Sequence, residues 1–568
     1  MNPTRPDDDT APAVGTPRQI ADRYVETMAH LDPILGTMLG TAPSDDRLPD
    51  FSPEGIAATN DAARSTLAEL DAVPDTDDVL ELRCARLLRN RLRASLALSE
   101  AGEDLRTVNN IFTPMHSTRQ VFLLMPAATE QDWAVIARRM ARVPAAHESY
   151  RAALTEGASQ GLYAAPRQVD ALVAQLGQWL GSGSDQSWFA SFVSDGPGTD
   201  PLREELEEAA RHATESVRTT RDFLQGRYRS GAEGTPDAVG AERYARWAMH
   251  YTGADLDLDE AYTWAWGEYT RIAAEMQGEA DKIRPGSTPA EAMRWLSTDG
   301  EAVDGVEAIR QRLQQMMDEA IAALDGNHFD LAEPIRRVEA MIAPAGSAAA
   351  PYYTRPSMDF ARPGRTWLPT LGRERFPLWD LVSTWYHEGV PGHHLQLAQW
   401  VHVAPQLSTF QTSLGSTAAD TEGWALYAER LMDELGFLTG QGHRLGYLDA
   451  QQLRAVRVII DIGMHLELKI PAGQNFHPGQ RWTPDLGREF FAANSGRDPA
   501  FGDSELVRYL GVPGQAISYK LGERAWLAGR AAAQRRQGAG FDLKRWHMAA
   551  LSLGSVGLAD LSDELSAL

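Results

Sequence analysis

The segment from Pro377 to Gln396, PLWDLVSTWYHEGVPGHHLQ, limits what this chain can build more than any other. Leu378, Leu381, Val382 and Trp385 recur at helical spacing, and Pro377 suits the first position of a helix, where its missing N–H costs nothing. Pro391 then interrupts the pattern. Its ring clashes with the carbonyl of His387, it donates nothing to the helical ladder, and Gly392 beside it lets the chain turn. On an unbroken helix His393 would point about 120° away from His387, and His394 would return to the right face only about 10.5 Å further along the axis. A two-residue bulge, of the kind that helices carry at functional sites, brings His393 onto the face of His387; a three-residue bulge brings His394 there. The shorter bulge is favoured, with His394 as a supporting group or substrate contact.

A His-Glu pair followed by a second His on the same face is how helices present zinc ligands, with the Glu left beside the open position as a general base. Zinc needs a third ligand. In STAADTEGWALYAERL, residues 416–431, Glu422 has Ala418, Ala419, Ala425 and Leu426 as its helical neighbours, an apolar stripe where a carboxylate is costly unless paired or metal-bound. The expected ligands of one Zn2+ per chain are therefore His387, His393 and Glu422, with Glu388 as base. Glu429, seven residues on, falls on the same face and is placed to orient a ligand histidine. The outer face of this helix, with Asp420 and Arg430, reads as solvated, as do His402 and His443.

Composition narrows the alternatives. Cys84 is the only cysteine, so no internal disulfide and no multi-cysteine metal site can form. A formal net charge of −24 argues against nucleic acid and against an anionic membrane surface, although a local site can oppose the sign of the whole. No apolar run approaches the roughly 18 residues of a spanning helix, and the acidic, Pro-rich N-terminus reads as a disordered tail over 1–18 rather than a secretory signal. A cytoplasmic protein is expected.

Helical patterning dominates from Ile20 to about Gly177, as in DDVLELRCARLLRNRLRASLAL, where Leu80, Cys84, Leu87, Leu88, Leu92 and Leu96 form a stripe. Gly- and Ser-rich breaks cover 181–201 and 227–240, and helices resume over 241–343. Residues 351–370, PYYTRPSMDFARPGRTWLPT, predict one or two short strands, with Pro363 and Pro369 favouring a sheet edge. Further helices are predicted at 416–438 and 449–468. The division expected is an N-terminal helical region over 19–240 and a catalytic region over 241–568, packed as one helical body around a channel.

HEGVPGHHLQ, TEGWALYAERL and YLGVPGQAISYKLGE, with DPILGTMLG, YYTRPSMDFARPG and DIGMH, together resemble the bacterial zincin-like family catalogued as domain of unknown function 885. LVSTWYHEGVPGHHLQ is more distantly similar to the active-site helix of thimet-type oligopeptidases and carboxypeptidase Taq, with two residues inserted. Dipeptidyl peptidase III carries a one-residue insertion there. The resemblance implies a mainly α fold, a large multi-helix gluzincin-like body with a small β-sheet beside the active-site helix. It also implies His387, His393 and Glu422 on zinc, Glu388 as base, and peptidase activity.

Hydrolysis through metal-activated water also needs a donor for the developing oxyanion. Tyr519, in VPGQAISYKLGE, is the first choice, and His465, four residues after Asp461 on a helix, is the second. Arg454, Arg457 and Arg508 are candidates for gripping a substrate carboxylate, though arginines are more often surface charges. Tyr352, Tyr353 and Arg355 precede the expected edge strand, where an extended substrate could pair. The expected function is zinc-dependent cleavage of an amide bond in a small peptide or peptide-like metabolite. A tailoring enzyme using the same site for hydrolysis or acyl transfer on a specialised metabolite, and a non-catalytic helical binding protein, are the alternatives; the oligomeric state, a homodimer included, stays open.

Overall fold

The computed structural model describes residues 15–181, 186–198, 200–343, 350–497 and 499–568. Most of the expected N-terminal tail lies outside the described residues, but its last residues do not: Thr16 caps the helix Pro17–Leu31, with Pro17 in the first turn. The same grammar of a capping side chain followed by proline opens Pro33–Leu39 and Pro53–Asp71, so local chemistry sets these starts. Two apolar cores organise the front of the chain. One joins Ile20, Leu70, Cys84, Leu88 and Leu92, and takes Phe410 from far along the sequence. The other gathers Phe122, Trp133, Leu154, Leu172 and Leu206. Within the first predicted break the helix Trp188–Ser194 forms, and the second begins inside a π-turn, Leu224–Tyr228, that extends the helix Leu202–Phe223.

Strands are few among the described residues. Val338–Ile342 runs parallel to Gly364–Leu368, which pairs antiparallel with Tyr352–Thr354 on its other side. Gly364–Leu368 is thus the central strand, not an edge: Pro363 and Pro369 flank it, where neither has to donate to the ladder. Tyr352 and Tyr353 lie on the edge strand itself, and Arg355 follows it. A second, two-stranded sheet pairs Ala302–Asp304 with Arg375–Pro377. Pro377 therefore ends a strand and does not open a helix; the helix starts at Leu381, after the chain has turned off the sheet.

Behind the sheets lie the helices Leu381–Glu388, His393–Val403, Ala418–Glu434, His443–Leu466 and Ser518–Gln537. His443–Leu466 begins six residues earlier than predicted, because Gly442, with φ of 78°, turns the chain directly into it. Every residue from Leu445 to His465 is buried. Ala418–Glu434 and Ser518–Gln537 cross at a pair of glycines: a Cβ on Gly522 would lie 2.0 Å from the carbonyl oxygen of Ala419, and one on Gly423 would lie 2.5 Å from the Gly522 carbonyl carbon. That close approach brings the first turns of the two helices together.

Candidate metal site

The predicted bulge is a complete break. The first helix ends at Glu388, residues 389–392 form a turn, and a second helix starts at His393. The Gly392 N–H donates to the Tyr386 carbonyl at 3.0 Å and the His394 N–H to the Gly389 carbonyl at 3.1 Å. A Cβ on Gly392 would sit 1.9 Å from the His387 carbonyl oxygen, so only glycine fits the turn. Trp424 holds it from behind, its indole N–H donating to the carbonyls of Pro391 at 3.0 Å and Gly392 at 3.1 Å.

This geometry answers which histidine the break delivers. The rings of His387 and His393 meet with centroids 4.8 Å apart. His394 turns the other way: it is fully buried, its Nε2 donates to the Ile335 carbonyl at 2.7 Å, and its Nδ1 accepts the Tyr353 hydroxyl at 2.9 Å. It ties the edge strand to the site helix.

Glu422 reaches both histidines. Its Oε2 lies 3.4 Å from His387 Nε2 and 3.6 Å from His393 Nε2. Two ligands each about 2.1 Å from a tetrahedral ion are about 3.4 Å apart, so this spacing fits a zinc-sized cation. Oε2 is also buried with no hydrogen-bond partner, which a carboxylate tolerates when a cation takes that lone pair. A ligand atom of Glu388 lies within 4.8 Å of those of His387 and His393 as well. Of the two carboxylates, Glu422 is the one whose oxygen sits at tetrahedral-edge distance from both histidine nitrogens and lacks a partner, which would leave Glu388 free beside such an ion.

The supporting contacts follow from helix periodicity. Glu429 Oε1 accepts from His387 Nδ1 at 2.8 Å, which leaves Nε2, aimed at Glu422, as the nitrogen that could take an ion. Ser383, four residues before His387, donates to the other oxygen of Glu429. Sequence reasoning missed Ser383, although its i−4 position on the His387 face carried the signal; it also missed Trp424. Burial alone would lower the pKa of His387, but the Glu422 and Glu429 carboxylates beside it raise it to about 9, so an ion binding at Nε2 would displace a proton there. Glu422 feels burial too, yet the two histidines hold its carboxyl well below the usual range. Burial keeps the Glu388 carboxyl above that range, with His387 and His393 opposing.

His387, Glu388, His393, Glu422 and Tyr519 all line one cavity of about 990 Å3. Tyr519 is there because the glycine crossing sets it beside Glu422, and the Arg457 guanidinium stacks 4.9 Å over its ring. Burial, then the negative charge of Glu422, raises its hydroxyl pKa, so it stays protonated and able to donate. His465 is not brought to this cavity. It packs with Nε2 3.0 Å from the Tyr509 carbonyl and 3.9 Å from Asp461, whose own carboxylate accepts from Tyr244 and from the Gly514 N–H. The Asp-His pair is a buried brace, and the second oxyanion donor expected from it is withdrawn.

Three further expectations change for the same reason, that this part of the chain has little outer surface. Asp420 is 2% exposed and accepts from the Val556 N–H, and burial pushes its pKa up to about 7. His443 is buried, while His402 is exposed as expected. Arg454 and Arg457 are buried and committed to carboxylates, Arg454 3.6 Å from Glu429 and Arg457 2.7 Å from Glu505, which also holds Arg508 at 2.6 Å.

Residues 33–565 match the family described as bacterial protein of unknown function (DUF885). The chain belongs to that family. Two solved structures share its fold. One is a candidate lipoprotein from Colwellia psychrerythraea, with a TM-score of 0.81 and 21% identity, covering 97% of this chain and 98% of that one. The other is a candidate lipoprotein of unknown function from Shewanella oneidensis, with a TM-score of 0.72 and 18% identity, covering 97% of this chain and 99% of that one. At these identities the likeness is one of fold alone. No curated protein sequence matches, and among the described residues no helix is long and apolar enough to cross a membrane.

Proposed function

We propose that this protein is a zincin-like, zinc-dependent hydrolase that cleaves an amide bond in a short peptide or peptide-like molecule. One observation carries the reading: Glu422 Oε2, an orphaned buried carboxylate oxygen, lies at tetrahedral-edge spacing from Nε2 of both His387 and His393, on the wall of a cavity that also holds Glu388 and Tyr519. His387 and His393 would bind through Nε2 and Glu422 through Oε2. When bound, zinc polarises a carbonyl and makes water a stronger acid.

The remaining work falls to the chain. Glu429, holding His387 Nδ1–H, fixes the tautomer that directs Nε2 toward the ion. Glu388, beside the two histidines, takes a proton from the attacking water and returns it to the leaving amine; a buried carboxyl with a raised pKa suits both transfers. Tyr519 donates its O–H to the oxygen that gains charge. A structural zinc site has no need of a base, so Glu388 weighs against a purely architectural metal.

Metal analysis of the purified protein together with two variants tests the reading. The expected result is about one zinc per chain, lost in Glu422→Ala and kept in Glu388→Gln, with hydrolysis of a peptide and amide panel abolished in both. Full activity in Glu388→Gln, or a zinc-free protein that remains active, would overturn it.

A further inference from the structure

The chain carries a net charge of −24, yet its site cavity is lined by six arginines, Arg355, Arg373, Arg375, Arg454, Arg457 and Arg497, against Asp380, Glu388 and Glu422. Ion pairing separates these arginines into two groups. Arg457 lies 2.7 Å from Glu505, Arg497 3.1 Å from Asp449, Arg375 3.4 Å from Asp304 and Arg454 3.6 Å from Glu429. Arg373 is exposed and donates to the Thr370 carbonyl at 3.4 Å. Arg355 is different: it is half-buried in the wall and, among the described residues, has no carboxylate within ion-pair distance. Its bond to protein runs from one terminal nitrogen to the Thr412 carbonyl at 2.7 Å.

A guanidinium does not shed its proton under ordinary conditions, so burial cannot silence the charge. Without a partner it is costly, and the charged neighbour that adds to the cost is Arg362. The Arg355 side chain bridges the end of the edge strand to the 412 loop, so it is held in place across the cavity wall instead of swinging free. Its remaining edge, Nε with the second terminal nitrogen, is the pair that grips a carboxylate side-on. Two residues earlier on the strand, Tyr353 is bonded to His394, the neighbour of His393, so Arg355 and the metal-binding residues are parts of one connected wall.

We infer that the substrate of this site carries a carboxylate that docks on Arg355. The inference rests on the hydrolase reading above and narrows it to acidic peptides or peptides with a free C-terminus. Those two sources share one chemistry and differ in where the carboxylate sits. Arg454, Arg457 and Arg508, the arginines that the sequence pattern favours for this task, already face carboxylates, with Arg457 and Arg508 sharing Glu505.

The test uses the zinc-loaded full chain and matched short peptides in four forms, with Glu or Gln as a side chain and a free or amidated C-terminus. The expected result is a kcat/KM at least tenfold higher for a carboxylate form than for the doubly neutral form, carried mainly by KM. Arg355→Gln erases that preference and Arg355→Lys restores part of it, with zinc content and circular dichroism unchanged in both. The position of the required carboxylate identifies the source. Equal cleavage of all four forms by the wild type, or an equal loss on all four in Arg355→Gln, overturns the inference. If the wild type cleaves none, the hydrolase reading is what has failed. Calorimetry of the same peptides with Glu388→Gln then decides the docking separately: carboxylate-dependent binding lost with Arg355→Gln sustains it, and binding indifferent to the carboxylate overturns it.

Discussion

Two helices of nearly equal length show how differently this chain uses the same element. Leu202–Phe223, in the front of the molecule, buries Leu206, Ala209, Ala210, Ala213, Ser216, Val217 and Thr220 along one stripe and turns most of its other residues to solvent. His443–Leu466, behind the site, is buried on all sides and carries Asp449, Arg454, Arg457, Asp461 and His465 inward. The first follows the ordinary economy of an amphipathic helix. The second bears the desolvation of many charges, and each is offset by a specific partner from another element: Arg454 by Glu429, Arg457 by Glu505, Asp461 by Tyr244. Buried charge on this helix is held in fixed positions by named partners, at a desolvation cost that apolar packing would avoid.

The comparison predicts a graded series of mutational effects. The largest belongs to the site. Glu388→Gln should lower turnover about 10²–10⁴-fold, the usual worth of a general base, while leaving thermal stability and zinc content near wild type in melting and metal analyses. Next comes the turn. Gly392→Ala forces a Cβ into a space 1.9 Å from the His387 carbonyl oxygen, so it should cost about 3 kcal/mol or more and lower zinc occupancy together with the melting temperature. A wild-type melting curve from this variant would show that the break between the two helices is softer than its packing implies. Glu429→Gln should be milder, weakening zinc affinity about 10–100-fold in competition with a chelator, since it disturbs the orientation of His387 without removing a ligand.

The front of the molecule should answer to pH instead. His147 is buried against Ser216 of the Leu202–Phe223 helix, its Nδ1 2.8 Å from the serine oxygen, and burial lowers its pKa to about 3. The unfolded chain takes up this proton at about 6.5, above the folded value. The stability that His147 contributes is therefore complete above about pH 6.5 and is lost as pH falls from there toward 3. His147→Asn should flatten that part of the denaturation profile relative to wild type; identical slopes would refute the assignment. Smallest of all, Glu207→Ala removes an exposed i,i+4 pair with Arg203 and should shift stability by no more than about 0.5 kcal/mol.

Legibility in the sequence follows the same divide. Of the predicted stripe, Cys84, Leu87, Leu88, Leu92 and Leu96 are buried, since an amphipathic helix advertises its buried face, while Leu80 in the first turn is exposed. On His443–Leu466 the same logic fails, because a helix buried all round has no polar face to read. Arg454, Arg457, Asp420 and His443 look like surface residues in one dimension and are interior residues in three.

The sequence by itself determined the mainly helical texture, the break at Pro391-Gly392 and the donors that a metal would need, because ring sterics, backbone freedom and side-chain chemistry are local properties. Tertiary structure alone decided the rest. It turned His393 toward His387 and His394 toward Tyr353. Through the Gly423–Gly522 crossing it set Tyr519 beside Glu422, and it left His465 bracing Tyr509. It also left Arg355 as the half-buried cavity arginine without a carboxylate among the described residues. Each of these depends on which surfaces meet at a distance along the chain, and burial, pairing and desolvation exist only once they have met.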